Sequence, residues 1–418
     1  MSGERAMLGR ADNPWIQSAA WDGFWMLSGL WAPALVLITY VLRFGWPATS
    51  VPAFHQVHFV LGFTALALLH RLSSVYAVVI SPILRSEVRA NPRRYVHVPL
   101  AIVLGTLLLA QAFVFHPWFA FLTSPAHPDA QLWAFGVLAV ALVVWDRWHF
   151  CMQEFGVLSL YRARARQLEA ADRRFDRGYV VGLMLVVNSV LFLYAGFGDD
   201  RFLLWRPLSL GDGAQQVLQA LARGACALGV VLWLGALLRE WRHPERSLPK
   251  LLFYKLIASH SLILFWLPSA LSLFFLGYIC HHWLVAIGLL NRLSFGSYPT
   301  GSRWRRGWLY LRRVGPWLFV GLVLGAFFAP LDLTGRLTPL PDTNVFLGVG
   351  VAARCGAGLV IGGFFAFSFL HYYYDRCLYS FSVPGVRKLI APLLLGEPTT
   401  PSPTRGPRAS VRSAELST

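Results

Sequence analysis

The chain has 418 residues, of which 56% are apolar and only 14% charged, with a formal net charge of +17. That much apolar sequence, gathered into runs of about twenty residues, exceeds what a soluble core needs and predicts a polytopic membrane protein. The positive charge sits in short arginine-rich segments between the runs, which makes it a topology signal and argues against a nucleic-acid partner.

Residues 1–20 contain Arg5 and Arg10 but no short apolar core followed by a small-residue cleavage site, so they are read as a cytoplasmic N-terminus and not as a removable signal peptide. Candidate spans follow at Trp21–Leu42, Phe54–Ile80, Val96–Phe115, Leu132–Leu160, Tyr179–Gly196, Val217–Leu238, Leu251–Trp266, Ala270–Leu290, Trp317–Pro330 and Phe346–Tyr373. The seventh and eighth are separated only by Pro268 and nearby serines, where a tight turn is assumed. The expected fold is all-α, a transmembrane helix bundle of ten spans over residues 21–395. Residues 396–418, rich in Pro, Ser, Thr and Arg, cannot bury a core and are expected to be a disordered cytoplasmic tail.

Orientation comes from the loops. One set is rich in basic residues, in the segments Arg85–Arg94, Arg162–Arg177, Arg239–Lys250 and Arg292–Arg313; the opposite set holds Arg43, Arg201, Arg206 and Arg336. The cytoplasmic side keeps the excess, which predicts a multi-pass protein with both termini in the cytoplasm. The five cysteines are odd in number and lack CxxC spacing, so neither a disulfide framework nor a thiolate metal site is indicated.

Six histidines interrupt otherwise apolar stretches: His70, His149, His260, His281, His282 and His371. Each lies ten to fifteen positions from a cytoplasmic boundary, which at ~1.5 Å per residue places all of them roughly 15–22 Å inside, in one layer. An imidazole buried in hydrocarbon is costly, so a cluster at one depth points to function. Local patterns add donors. Asp146, His149 and Gln153 share a helix face, as do His371 and Asp375 at i and i+4. The adjacent pair His281 and His282 points about 100° apart, so one of the two is expected to face the cluster. Imidazole with carboxylate suits iron, with zinc or manganese as alternatives, in a mono- or dinuclear site between inward-facing helices. A haem held by two histidines leaves the others unexplained. Arg71, Arg147 and Arg376 neighbour these residues, so a buried ion-pair network is the competing reading of Asp146 and Asp375.

Trp145, Trp148, Phe150, Trp266, Trp283 and Tyr372–Tyr374 flank the polar layer and are suited to line a slot for an apolar substrate. No GxSxG, HExxH or glycine-rich nucleotide cradle occurs.

Single histidines on several membrane helices resemble the histidine-rich integral-membrane non-haem iron oxygenases, meaning the desaturases and hydroxylases and the bacterial β-carotene dioxygenases. The likeness covers scattered histidines in about half the chain, without the HxxxH and HxxHH boxes of desaturases. It implies an iron oxidoreductase acting on a lipid-like or isoprenoid substrate, with the bilayer and an external electron donor as partners. Two alternatives stand beside it: a proton- or ion-coupled transporter using the same His, Asp and Arg residues, and a lipid-modifying transferase.

Overall fold

The computed structural model describes residues 14–44, 69–115, 145, 148–167, 169–197, 212–254, 271–328, 351–379, 381 and 383–395. Among the described residues every regular element is helical and no strand occurs, in keeping with the all-α expectation. The predicted span starts at Phe54 and Leu132, most of Leu251–Trp266, and the 396–418 tail lie outside the described residues.

In chain order the helices are α1 (Ala19–Trp25), α2 (Ser28–Phe44), α3 (Leu69–Ile80), α4 (Arg85–Ala90), α5 (Val98–Phe115), α6 (148–164) and α7 (Ala170–Phe197). There follow α8 (Asp212–Arg242), α9 (248–254), α10 (Leu271–Ser297), α11 (Arg303–Phe328), α12 (Val351–Leu378) and α13 (Pro384–Leu395). The last turn of α3, Tyr76–Ile80, is wound as a π-helix, and so is the turn Arg93–His97 that leads into α5.

The predicted span Trp21–Leu42 is a pair of helices meeting at a 51° bend. Ser18 caps α1 by accepting from the Trp21 N–H, and the Asp22 carboxylate turns back to accept from the N–H groups of Ile16 and Gln17 at 2.8 and 3.0 Å. The Asp22 carbonyl then takes both the Met26 and the Leu27 N–H, closing the short helix before α2 begins. The predicted span start at Trp317 lies inside a longer helix. Helix α11 begins at Arg303, because the arginine-rich stretch before Trp317 is helical without being apolar and Pro316 does not break it.

Two described helical segments, Arg93–Gln111 and Asp212–Arg242, are long and apolar enough to cross a membrane, and the bent pair α1–α2 makes a third if it is one span. Their outer surfaces are apolar. Leu108 and Leu109 on α5 are each 70% exposed, and α8 shows Val217, Leu221, Val231 and Leu234 outward. Large apolar side chains in that number on one helix surface are costly in water.

Three helix pairs organise the packing: α7 with α8, α5 with α12, and α2 with α10. The first relies on reciprocal small residues. A Cβ at Gly182 would stand 2.6 Å from the Gly229 carbonyl oxygen, and one at Gly229 would collide with the Gly182 carbonyl oxygen. Backbones this close are how membrane helices gain van der Waals contact in place of a hydrophobic drive. Gly362 serves α12 in the same way, against Ala110 and Leu107 of α5.

Candidate metal centre

Four histidines from four helices converge. His70 comes from α3, His149 from α6, His282 from α10 and His371 from α12, and all four are 7% exposed or less. Their rings form a closed quadrilateral: centroids are 4.5 Å apart for His282–His70, 4.3 Å for His70–His371, 4.8 Å for His371–His149 and 5.1 Å for His149–His282. The His70–His149 diagonal is 6.1 Å.

The rings turn the same atom inward. The Nε2 atoms of His282 and His70 are 3.0 Å apart, and those of His371 and His149 are 3.2 Å apart. With metal–nitrogen bonds of ~2.0–2.1 Å, neighbouring ligand atoms stand about 2.9 Å apart on an octahedron and about 3.4 Å apart on a tetrahedron. The two observed edges fall between these values. His70, His149 and His371 offer ligand atoms that all lie within 4.8 Å of one another, and this group could hold a metal ion.

Asp375 adds a carboxylate one helical turn beyond His371. Its Oδ2 lies 3.5 Å from the His149 Nε2 and 3.7 Å from the His371 Nε2, and the residue is 8% exposed. Ser74, one turn beyond His70, orients this side of the site. Its hydroxyl contacts the His371 Nδ1 at 2.8 Å. In a metal-holding arrangement the His371 Nδ1–H donates to the Ser74 hydroxyl. That tautomer leaves the His371 Nε2 lone pair facing His149, as a ligand requires.

Aromatic rings wall the cluster. Phe150 stacks on His282 at 3.7 Å between centroids, and Tyr372 lies against His149 at 4.5 Å. Both belong to the aromatic set expected from sequence.

The remaining predicted site residues fall in three places. His281, on the neighbouring face of α10, turns away from the cluster and pairs through Nδ1 with the Ser28 hydroxyl at 2.8 Å. Since Ser28 donates to the Trp25 carbonyl, it accepts from His281 and joins α10 to the α1–α2 break. Gln153 does not join the ring either. Its amide donates to the His282 backbone carbonyl at 2.8 Å and so holds α6 against α10 behind the site. His260 and Asp146 lie outside the described residues. Ser74 is the functional residue that sequence reasoning missed, although its i+4 spacing from His70 was the available signal.

Comparison with family models, with curated proteins and with solved structures gave no match for this chain. Whatever function is assigned to it therefore rests on the site.

Proposed function

We propose that this chain is a multi-pass integral-membrane metalloprotein, a non-haem iron oxidoreductase whose substrate is a hydrophobic, lipid-like or isoprenoid molecule. The observation that carries the reading is the ring of four buried imidazoles, in which two Nε2 pairs stand at ligand-edge spacing and the ligand atoms of His70, His149 and His371 lie within 4.8 Å of one another, with Asp375 beside two of the rings. Nitrogen donors with one carboxylate are the set that non-haem iron, more than calcium or magnesium, selects. The outward leucines of α5 and α8 support the membrane setting, and the ten apolar runs of the sequence support a count of ten spans.

In this reading His70, His149, His282 and His371 hold the ion, and Ser74 fixes the tautomer of His371. Asp375 balances charge and is placed to accept a proton at its Oδ2. Phe150 and Tyr372 keep water from the rings and give an apolar substrate a surface to lie against. Bound iron would supply the redox chemistry that no side chain here can supply, with electrons from an external donor. The apolar walls favour a substrate that enters from the bilayer.

Metal analysis of the full chain purified in mild detergent tests the proposal. Iron near one ion per chain, lost in a His149→Ala, His371→Ala double variant that still elutes as a folded species, is the expected result. Wild-type protein that retains no metal under those conditions overturns the site, and stoichiometric zinc overturns the redox reading.

A further inference from the structure

Helix α11 opens on five arginines, Arg303, Arg305, Arg306, Arg312 and Arg313, before its apolar half begins. They do not share one environment. Arg305 turns inward: its Nη1 donates to the Tyr298 carbonyl at 3.4 Å and to the Thr300 hydroxyl at 3.1 Å, and its guanidinium lies over the Phe295 ring. The helix grips the bundle through Trp308, whose carbonyl accepts from Asn291 at 2.9 Å, and through Gly315, where a Cβ would stand 3.1 Å from the Trp25 ring. Arg303, Arg306 and Arg313 point outward. With Tyr310 and Trp317 they occur at i, i+3, i+7, i+10 and i+14, which is one stripe along a helix. All five are exposed, Tyr310 by 66% and Trp317 by 75%.

No Asp or Glu occurs between Glu245 and Asp332, so neither α10 nor α11 offers these arginines a carboxylate. None of the three forms an ion pair among the described residues. A row of cations alone is an ordinary solvated face. Large aromatic side chains standing between the cations are what the headgroup layer of a bilayer selects, and water does not. Depth agrees with that layer. A ~30 Å hydrocarbon core takes about twenty residues, so counted back from Phe328 its boundary falls near Leu309. Arg303 and Arg306 then stand in the headgroup layer and Tyr310 at its edge. Arg313, just below, leans back toward it, because helical side chains tilt to the N-terminus and long cations snorkel. An acidic protein arriving from water can meet Arg303 and Arg306 but not Trp317, which on this count lies about 12 Å inside the hydrocarbon.

We propose that the Arg303, Arg306, Tyr310 and Arg313 stripe of α11 is a docking face for anionic phospholipid headgroups, with Trp317 lying against their acyl chains. The proposal rests on the membrane setting above and not on the metal.

The test uses the full chain. Carbonate washing of membranes reads the setting first: protein released by the wash overturns the membrane reading, and this proposal with it. Protein that stays is extracted in mild detergent and titrated with phosphatidylglycerol or phosphatidylcholine, and bound lipid is read by native mass spectrometry. Wild type should favour phosphatidylglycerol, less so at high salt. An Arg303→Gln, Arg306→Gln, Arg313→Gln variant should lose about fivefold in that preference per arginine, on the order of 100-fold in all. The matching Lys variant keeps the charge and should keep most of the preference. Arg85→Gln, Arg89→Gln, Arg93→Gln removes three other exposed arginines and should leave it intact. Wild-type protein that binds the two lipids equally overturns the proposal, whether or not the variants fold. So does a preference unchanged in the folded stripe variant, or one lost equally in the Arg85, Arg89 and Arg93 variant. An acidic protein that co-purifies and is released by the stripe substitutions, with lipid preference unaltered, overturns it in favour of a protein partner.

Discussion

At the scale of single residues, the adjacent histidines of α10 offer the sharpest contrast. His282 faces the imidazoles of His70 and His149, whereas His281 is committed to Ser28 on the neighbouring face. His282→Ala should therefore lower bound metal at least tenfold, and His281→Ala should leave metal per folded chain unchanged while loosening the α1–α2 junction. Metal analysis and thermal unfolding on the same samples read both outcomes. Equal metal loss in the two variants would show that the ring does not discriminate the two faces. Ser74 makes a second prediction. Its removal frees the His371 ring to rotate and to take the other tautomer, so Ser74→Ala should weaken metal affinity by ~10–100-fold, as losses of orienting hydrogen bonds do. Ser74→Thr keeps the hydroxyl and should retain affinity, a rescue that simple destabilisation would not give. Much of this site was legible in the sequence. The common depth of the histidines and the i, i+4 spacing of His371 and Asp375 both follow from helix geometry alone. The choice between His281 and His282, and the partner of Gln153, depend on which helices pack side by side, and one chain's periodicity does not encode that.

At the scale of elements, sequence reading fared worst where charges are buried. Lys250 counts in the sequence as a boundary charge bound for solvent, yet it is 2% exposed. Its Nζ contacts Asp176 at 2.9 Å, Glu240 at 2.8 Å and Gln167 at 2.7 Å. Arg162 pairs with Asp176 at 2.9 Å, and Tyr254 donates to the same carboxylate. This network joins α6, α7, α8 and α9, and it arises because acids scattered over separate helices meet only in the packed bundle. Lys250→Met leaves two buried carboxylates short of a counter-charge and should cost ~3–5 kcal/mol of stability. A thermal midpoint equal to wild type would show that the network is solvated and dispensable. The α7–α8 contact gives a further prediction. Because each glycine faces the other's backbone carbonyl, neither Cβ can be relieved by a rotamer change, and Gly229→Ala should cost ~1–3 kcal/mol through helix separation. Gly235, on the same helix and with open space around it, accepts the same change without that loss. Unfolding of the two variants side by side separates a steric effect from a change in helix propensity.

At the scale of the whole molecule, the two ends of the described chain are tied to one side chain. A single guanidinium, that of Arg164, reaches the carbonyls of Ile16 and Leu395, so these three points occupy one end of the bundle. Helix α7 starts six residues after Arg164, at Ala170, and runs 28 residues to Phe197. At ~1.5 Å per residue that is about 42 Å, longer than the ~30 Å hydrocarbon core, so the proposed ten-span arrangement puts Phe197 on the opposite side. Basic residues crowd the Arg162–Arg177 segment, and the positive-inside bias predicts a cytoplasmic position for that segment. Reporter fusions should therefore find both termini in the cytoplasm and an insertion at Asp199 outside it. Termini on opposite sides would be incompatible with the Arg164 contacts, since one guanidinium cannot reach across a bilayer, and would require a different path for the chain. An even number of spans and the Arg164 contacts stand or fall together in that measurement.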